Sequence, residues 1–321
     1  MNAIARTLES LRIGKPRSFG GLTLYPLFGD TRDKTLPYLL LDEALAEGLV
    51  EVSEVSEGGR VPELALHNEA DRPVLLLDGE ELVGAKQNRV LNVTVLAPAH
   101  TRITLPVSCV EAGRWGWDAP DFRSSGRTQY ARARARKVAQ VSESLAMDMG
   151  YRSDQSAVWA DIDAKAHSLG VDSATSAMAD IYRAREEDVE AYVQALPAEP
   201  GQTGALFHLP GIGWSCDLFD HPATLAAQLP KIVRGQALDA IEVRPEGRKD
   251  QEPAPDPEHW LTRLAQCKPR TYPAVGLGET VRLSGPGLAG AALVVDDEVV
   301  HLYAGSTRGA WEAREVVMRR W

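Results

Sequence analysis

DGEELVGAKQNRVLNVTVLAPAHTRITLPVSCVEAGRWGW, running from Asp78 to Trp117, holds two apolar runs that must pair as neighbouring strands. Their patterns choose the register, because a slip of one residue moves every side chain to the opposite face. Placing Val95 against Ile103 also sets Val93 against Leu105 and Leu91 against Val107, six apolar residues on one shared face. The alternative sets Val93 against Thr104 and Val95 against Arg102, which spoils that face. The first register is therefore expected.

Continued outward, it brings Arg89 opposite Cys109 and Gln87 opposite Glu111. An inward row that ends in Gln, Arg, Cys and Glu is unusual, since burying unpaired polar groups costs a few kcal/mol each. These groups either satisfy one another or line a pocket. Glu80 and Glu81 follow the preceding strand at an Asp-Gly turn and are expected near the same end. Arg114 and Trp115 lie just past it.

Each of these residues has a chemical and a structural reading. Cys109 beside Arg89 is a thiolate nucleophile, or a small buried hydrophobe. Glu81 and Glu111 are a general acid/base pair, or the ion-pair partners of Arg89, Lys86 or Arg114. Lys86, Gln87, Asn88 and Arg89 put two cations and two amides in four residues, which suits a phosphate or carboxylate ligand, or makes a solvated turn. Trp115 and Trp117 stack on a planar ring, or cover the core.

Working outward, period-two runs predict strands at Leu22–Phe28, Val50–Ser56, Pro62–His67, Val74–Asp78, Val90–Ala97 and Arg102–Val110, with a short helix at Asp42–Gly48. Gly113–Gly126 reads as a loop. Helices are expected over Thr128–Met149, Asp154–Leu169 with Ser153 as N-cap and Gly170 beyond its end, and Ser173–Leu196. A strand at Gly204–Leu209, a helix at Pro222–Ala240 and strands at Val281–Leu283, Ala291–Val295 and Val299–Tyr303 follow. Arg244–Pro257, charged and proline-rich, reads as a disordered surface loop. The fold class is α+β: an N-terminal antiparallel sandwich or partly closed barrel (1–125) carrying the site, then three central helices and an α+β part packing on it (126–321). The two parts are also compatible with one continuous domain.

Composition narrows the function. The 321 residues are 44% hydrophobic and 25% charged, which is ordinary for a globular protein. No stretch of eighteen apolar residues is present, and the N-terminus lacks a secretory pattern, so a cytoplasmic protein with no membrane partner is expected. A formal charge of −10 argues against nucleic acid as a partner. Cys109, Cys216 and Cys267 are scattered without CxxC spacing, and no HExxH, GxxxxGK[ST] or GxSxG occurs. Neither a metal site nor a cofactor is specified. Five cations and no acids fall between Arg127 and Lys137; a solvated helix face is expected there, a groove for a phosphorylated ligand being the alternative.

Gly79-Glu80-Glu81, Lys86-Gln87-Asn88-Arg89, Pro106-Val107-Ser108-Cys109 with Glu111, and Gly113-Arg114-Trp115 resemble a bacterial family named for its association with ADP-ribosylglycohydrolases and with rhodanese- and phosphatase-superfamily proteins. Ser173–Tyr182 and His301 extend the resemblance, which covers roughly Phe19 to Tyr303. It implies a role near NAD or ADP-ribose metabolism and supplies no mechanism, because the family's activity is inferred from gene neighbours. Two functions are then expected to compete. One is binding or hydrolysis of a small phosphorylated, nucleotide-like or ADP-ribose-related ligand, with Glu81, Glu111 or Cys109 as the reacting groups and Lys86, Gln87, Asn88, Arg89, Arg114 and Trp115 as the binding groups. The other is a non-catalytic protein that regulates or scaffolds a protein partner encoded nearby.

Overall fold

The computed structural model describes residues 2–30, 36–56, 58–59, 61–116, 121–243 and 256–307. Among these the chain is α+β, and all strand pairings but one are antiparallel.

The expected register holds from Leu91–Val107 outward to Arg89–Cys109 and fails at the Val93–Leu105 and Val95–Ile103 pairs from which it was chosen. In one sheet the order is β12 (Phe122–Thr128), β8 (Glu80–Gly84), β9 (Arg89–Leu91), β11 (Thr101–Cys109), β6 (Glu63–Asn68) and β5 (Val50–Glu54). Leu91 lies against Val107 and Arg89 against Cys109, as the apolar pattern requires. Beyond Leu91 the expected single strand bends away. Val95 pairs with Leu76 and Ile103 with Leu66, so β10 (Val95–Ala97) joins β7 (Val74–Leu76) and β4 (Leu39–Leu40) in a separate sheet. The bend falls on Asn92-Val93-Thr94, whose two polar side chains are claimed from elsewhere. Asn92 accepts from the Ser108 hydroxyl (2.6 Å) and donates to the Tyr151 carbonyl (3.0 Å). Thr94 accepts from the Asp78 N–H. Leu91, Val93, Val95, Leu105 and Val107 nonetheless share one buried apolar cluster.

The largest sheet joins both ends of the chain: β1 (Arg12–Ile13), β3 (Leu22–Phe28), β13 (Gly204–Leu209), β14 (Gly213–Phe219), β18 (Glu298–Ser306), β17 (Leu288–Val295), β16 (Glu279–Gly285) and β15 (Lys268–Pro273), with β2 (Arg17–Phe19) folded on β3. The β17–β18 turn is Asp296-Asp297, both at positive φ, the signature of a two-residue turn whose twist matches the strands. Helix α1 (Ala3–Glu9) packs beside this sheet against α8 (Pro257–Ala265), and α2 (Leu41–Ala46) packs near β4 and β5.

The central helices are α3 (Ala131–Ala146), α4 (Gln155–Ser168), α5 (Met178–Ala184), α6 (Glu186–Ala195) and α7 (Pro222–Val243). The single helix expected over Ser173–Leu196 is two, broken at Arg185. Asp154, not Ser153, caps α4 by accepting the Ser156 and Ala157 N–H groups, while Ser153 turns to Ser108. Of the loop expected over Gly113–Gly126, 113–116 lie in no strand or helix, 117–120 with Trp117 are outside the described residues, and from Phe122 on β12 replaces it. Of the proposed disordered loop, 244–255 lie outside the described residues.

The basic stretch at α3 corrects the expectation of a solvated face. Arg134 and Lys137 are buried, and α3 lies against β17 and β18. Two cations in a core require carboxylates, and these come from the β7–β8 turn (Asp78) and from β14 (Asp217).

Candidate functional site

The site grows from the Arg89–Cys109 rung. Gln87 accepts at one oxygen from both the Cys109 thiol (2.9 Å) and Arg89 Nη1 (3.2 Å), and its amide donates to the Glu111 carbonyl (2.9 Å). Glu111 Oε2 accepts the Asn88 N–H (3.2 Å) and sits 2.7 Å from Arg114 Nη2, while Oε1 accepts the Thr175 hydroxyl (3.0 Å). Arg114 also donates to the Ala85 carbonyl (2.8 Å) and to Asn88 Oδ1 (3.1 Å). The turn carrying Lys86 begins with Ala85 at φ 39°, in the left-handed region that non-glycine residues seldom adopt.

Burial and charge set the protonation states. Burial alone would raise Glu111, but Arg114 and the Asn88 N–H outweigh it and hold the carboxyl below its ordinary value. Burial pushes the Cys109 thiol up, past the opposing pull of Arg89. A fully buried thiol with a raised pKa that donates to an amide oxygen has the environment of an inert cysteine. Its backbone is clamped by a residue that sequence reasoning missed. Gln155 of α4 accepts the Cys109 N–H and donates to the Cys109 carbonyl, both at 2.8 Å.

The structure brings Lys86, Gln87, Asn88, Arg89, Cys109, Glu111, Arg114 and Trp115 together, but not Glu81. Glu81 pairs with Val90 in the ladder, so it faces away from Arg89, and it takes Arg127 Nε at 2.6 Å. Glu80 is bound by Lys231, which also holds Asp42.

One neighbour was not anticipated. Glu54, the last residue of β5, is buried with one oxygen 3.7 Å from Arg89 Nη2. Among the described residues neither Glu54 oxygen accepts a hydrogen bond, and Arg89 Nε and Nη2 donate none. The half-exposed Trp115 ring lies beside the cluster, 5.8 Å from the Arg89 guanidinium and 5.6 Å from the Lys86 ammonium. Gly59 approaches so closely that a Cβ there would stand 3.1 Å from Glu54 Oε2 and 3.2 Å from Lys86 Cδ.

A second polar constellation lies between the sheets. Lys137 pairs with Asp78 Oδ1 (2.6 Å) and also donates to the Leu91 carbonyl. Arg134 stands 2.9 and 3.1 Å from the two oxygens of Asp217 and 3.4 Å from Asp78 Oδ2. Only the Arg134 Nη1–Asp217 contact has hydrogen-bond geometry, so charge rather than bonding neutralises this arginine. Burial works to raise Asp217, yet Arg134 and His301 hold its carboxyl below the ordinary value. That carboxylate can only accept, so His301 presents Nε2–H to it (3.1 Å) and Nδ1 to the Thr94 hydroxyl (2.8 Å). Burial lowers the His301 pKa, keeping the ring neutral near pH 7. Sequence signals for this cluster were a lone histidine in an apolar strand and an aspartate before Gly79. Their partners are too remote in sequence to be read.

Among the described residues no group of three or more His, Cys, Asp or Glu side chains is arranged to hold a metal ion, and no helix is long and apolar enough to cross a membrane. At the level of class, this is an α+β chain with several buried ionic clusters, among them one between its sheets and one beside an exposed tryptophan. The chain belongs to the ARPP-1 family, the ARG and Rhodanese-Phosphatase-superfamily-associated Protein domain, which matches residues 10–304. No curated protein and no solved structure matches it.

Proposed function

We propose that this protein binds an ADP-ribose- or nucleotide-related molecule at Arg89, Lys86, Glu54 and Trp115. One observation carries the reading: four buried side-chain atoms, two on Arg89 and two on Glu54, make no hydrogen bond among the described residues. A buried polar atom left unpaired costs roughly 1–3 kcal/mol, so a cluster of them calls for a partner. The chemistry of that partner follows from the groups. Arg89 and Lys86 offer donors and positive charge to phosphate. Glu54 is an acceptor pair suited to the hydroxyls of a ribose. Trp115 offers a face on which a purine stacks. The association recorded in the family name agrees with this ligand class.

Binding stands ahead of hydrolysis. Both Glu111 oxygens are already engaged and the carboxyl is held ionised, which suits positioning of the Lys86–Arg89 turn better than proton transfer. The alternative of a non-catalytic regulatory or scaffolding protein draws support from the way Gln87, Cys109, Glu111 and Arg114 satisfy one another.

Calorimetric titration separates the two. ADP-ribose should release heat on binding to the native chain and none to Arg89→Gln, with the variant's fold confirmed by circular dichroism. Silence with both ADP-ribose and NAD at millimolar concentration would reject the binding reading and leave scaffolding.

A further inference from the structure

The inter-sheet cluster carries a charge imbalance. Arg134, Lys137 and Arg282 are all buried there, and the carboxylates facing them are Asp78 and Asp217, three positive charges against two negative. His301 adds no charge, and burial raises the Tyr151 and Tyr303 phenols, which stay neutral. A desolvated net charge inside a protein is costly unless something answers it.

Arg282 is the group left over. Its Nε donates to the Ser142 hydroxyl (3.0 Å) and Nη2 to the Val138 carbonyl (2.6 Å), but it forms no ion pair among the described residues, and Nη1 has no hydrogen-bond partner. Burial pushes its pKa down to about 10, against the pull of Asp78. Arg282 also lines a small cavity with Asp78, Thr94, Thr280, Ala292 and Tyr303. That cavity is about the size of one water molecule, so it excludes phosphate esters and carboxylic acids but not a monatomic ion.

We propose that this cavity is a binding site for a monovalent inorganic anion of halide size, held by Arg282 Nη1. The anion brings the five buried charges to neutrality. Asp78 shares the cavity wall, but Lys137 at 2.6 Å and Arg134 at 3.4 Å answer its charge, so the anion meets a net positive field. The site is separate from the Arg89 cluster and does not depend on what that cluster binds.

The test is thermal unfolding of the full chain at constant ionic strength while sodium bromide replaces sodium gluconate. The wild type should gain roughly 2 °C for each tenfold rise in bromide above half-saturation. Arg282→Gln should lose that dependence. Ala292→Val, which keeps every charge and narrows the cavity, should lose it too, and serves if the arginine variant does not fold. Anomalous scattering from a bromide-soaked crystal should place the ion within hydrogen-bond distance of Arg282 Nη1. A wild-type Tm indifferent to bromide, a water in place of the ion, or a bromide effect that survives both substitutions would each overturn the proposal.

Discussion

Arg134 and Arg89 are equally buried, yet their surroundings move them in opposite directions. Burial works to lower both. For Arg134, Asp217 and Asp78 overcome it and raise the pKa; for Arg89, Cys109 and Glu54 do not, and it falls. The distances say why. Arg134 has carboxylate oxygens at 2.9, 3.1 and 3.4 Å, whereas the nearest to Arg89 stands at 3.7 Å. A fold that needs a buried cation supplies its counter-charge at contact distance. Arg89, held short of its counter-ion, bonds internally through Nη1 alone, and this contrast motivates the proposal of a ligand there while Arg134 is neutralised within the fold.

The largest expected effect lies on the structural side. Asp217→Asn removes the charge facing Arg134 and leaves one acceptor oxygen where Arg134 and His301 now have two, so that a buried guanidinium is left short of its partner. The unfolding free energy should fall by about 3–5 kcal/mol, measured by urea denaturation with an unchanged m-value. A loss below 1 kcal/mol would show that the inter-sheet network is not what holds the sheets together.

The binding side should respond in the opposite sense. Replacing Glu54 and Arg89 together by Leu and Met removes a widely spaced, poorly bonded pair and substitutes apolar side chains of similar volume. Such exchanges are neutral or stabilising by about 1–4 kcal/mol. The double variant should therefore unfold at the same or higher urea concentration than the wild type while losing any heat with ADP-ribose. Destabilisation comparable to that of Asp217→Asn would erase the contrast, and the proposed ligand with it.

Parts of both regions were legible in the sequence. The Arg89–Cys109 rung was, because Leu91 and Val107 are apolar in a single register and the ladder carries that register two residues further. Its continuation through Val95 was not. Asn92 and Thr94 find partners at Tyr151 and His301, 59 and 207 residues away, and those bonds decide where the strand bends. The burial of α3 was hidden for the same reason. Lys137 meets Asp78 across 59 residues and Arg134 meets Asp217 across 83, so only an unpaired run of cations was visible. Strand β14 was legible but not expected above: Trp214, Cys216 and Leu218 alternate with Ser215 and Asp217, and only the burial of both faces was hidden. Glu54 looked like any acidic residue near a strand end. Nothing local reveals that β6 lies between it and β11, which places it beside Arg89.

The smallest expected effect comes from Asp220, a third kind of buried acid, one whose close hydrogen-bond partner is neutral. It accepts from the Tyr38 hydroxyl at 2.5 Å, and burial pushes its carboxyl up to about 6 despite that bond and the nearby His221, with Glu298 adding to the rise. Because the folded pKa exceeds the unfolded one, near 4, folding holds this proton more tightly. The resulting stability is fully present below about pH 4 and is lost as the pH rises through about 6. A shift of two units sets an upper bound of roughly 3 kcal/mol, and partial solvent access reduces it to about 1 kcal/mol. Asp220→Asn keeps an acceptor for Tyr38 and cannot ionise. Its stability relative to the wild type should therefore be level at pH 4, climb between pH 4 and 6, and hold an advantage of about 1 kcal/mol at pH 7. A flat difference across that range would mean that Asp220 ionises as freely as an exposed carboxyl, and that burial without a cation perturbs an acid in this fold less than the contrast between Arg134 and Arg89 implies.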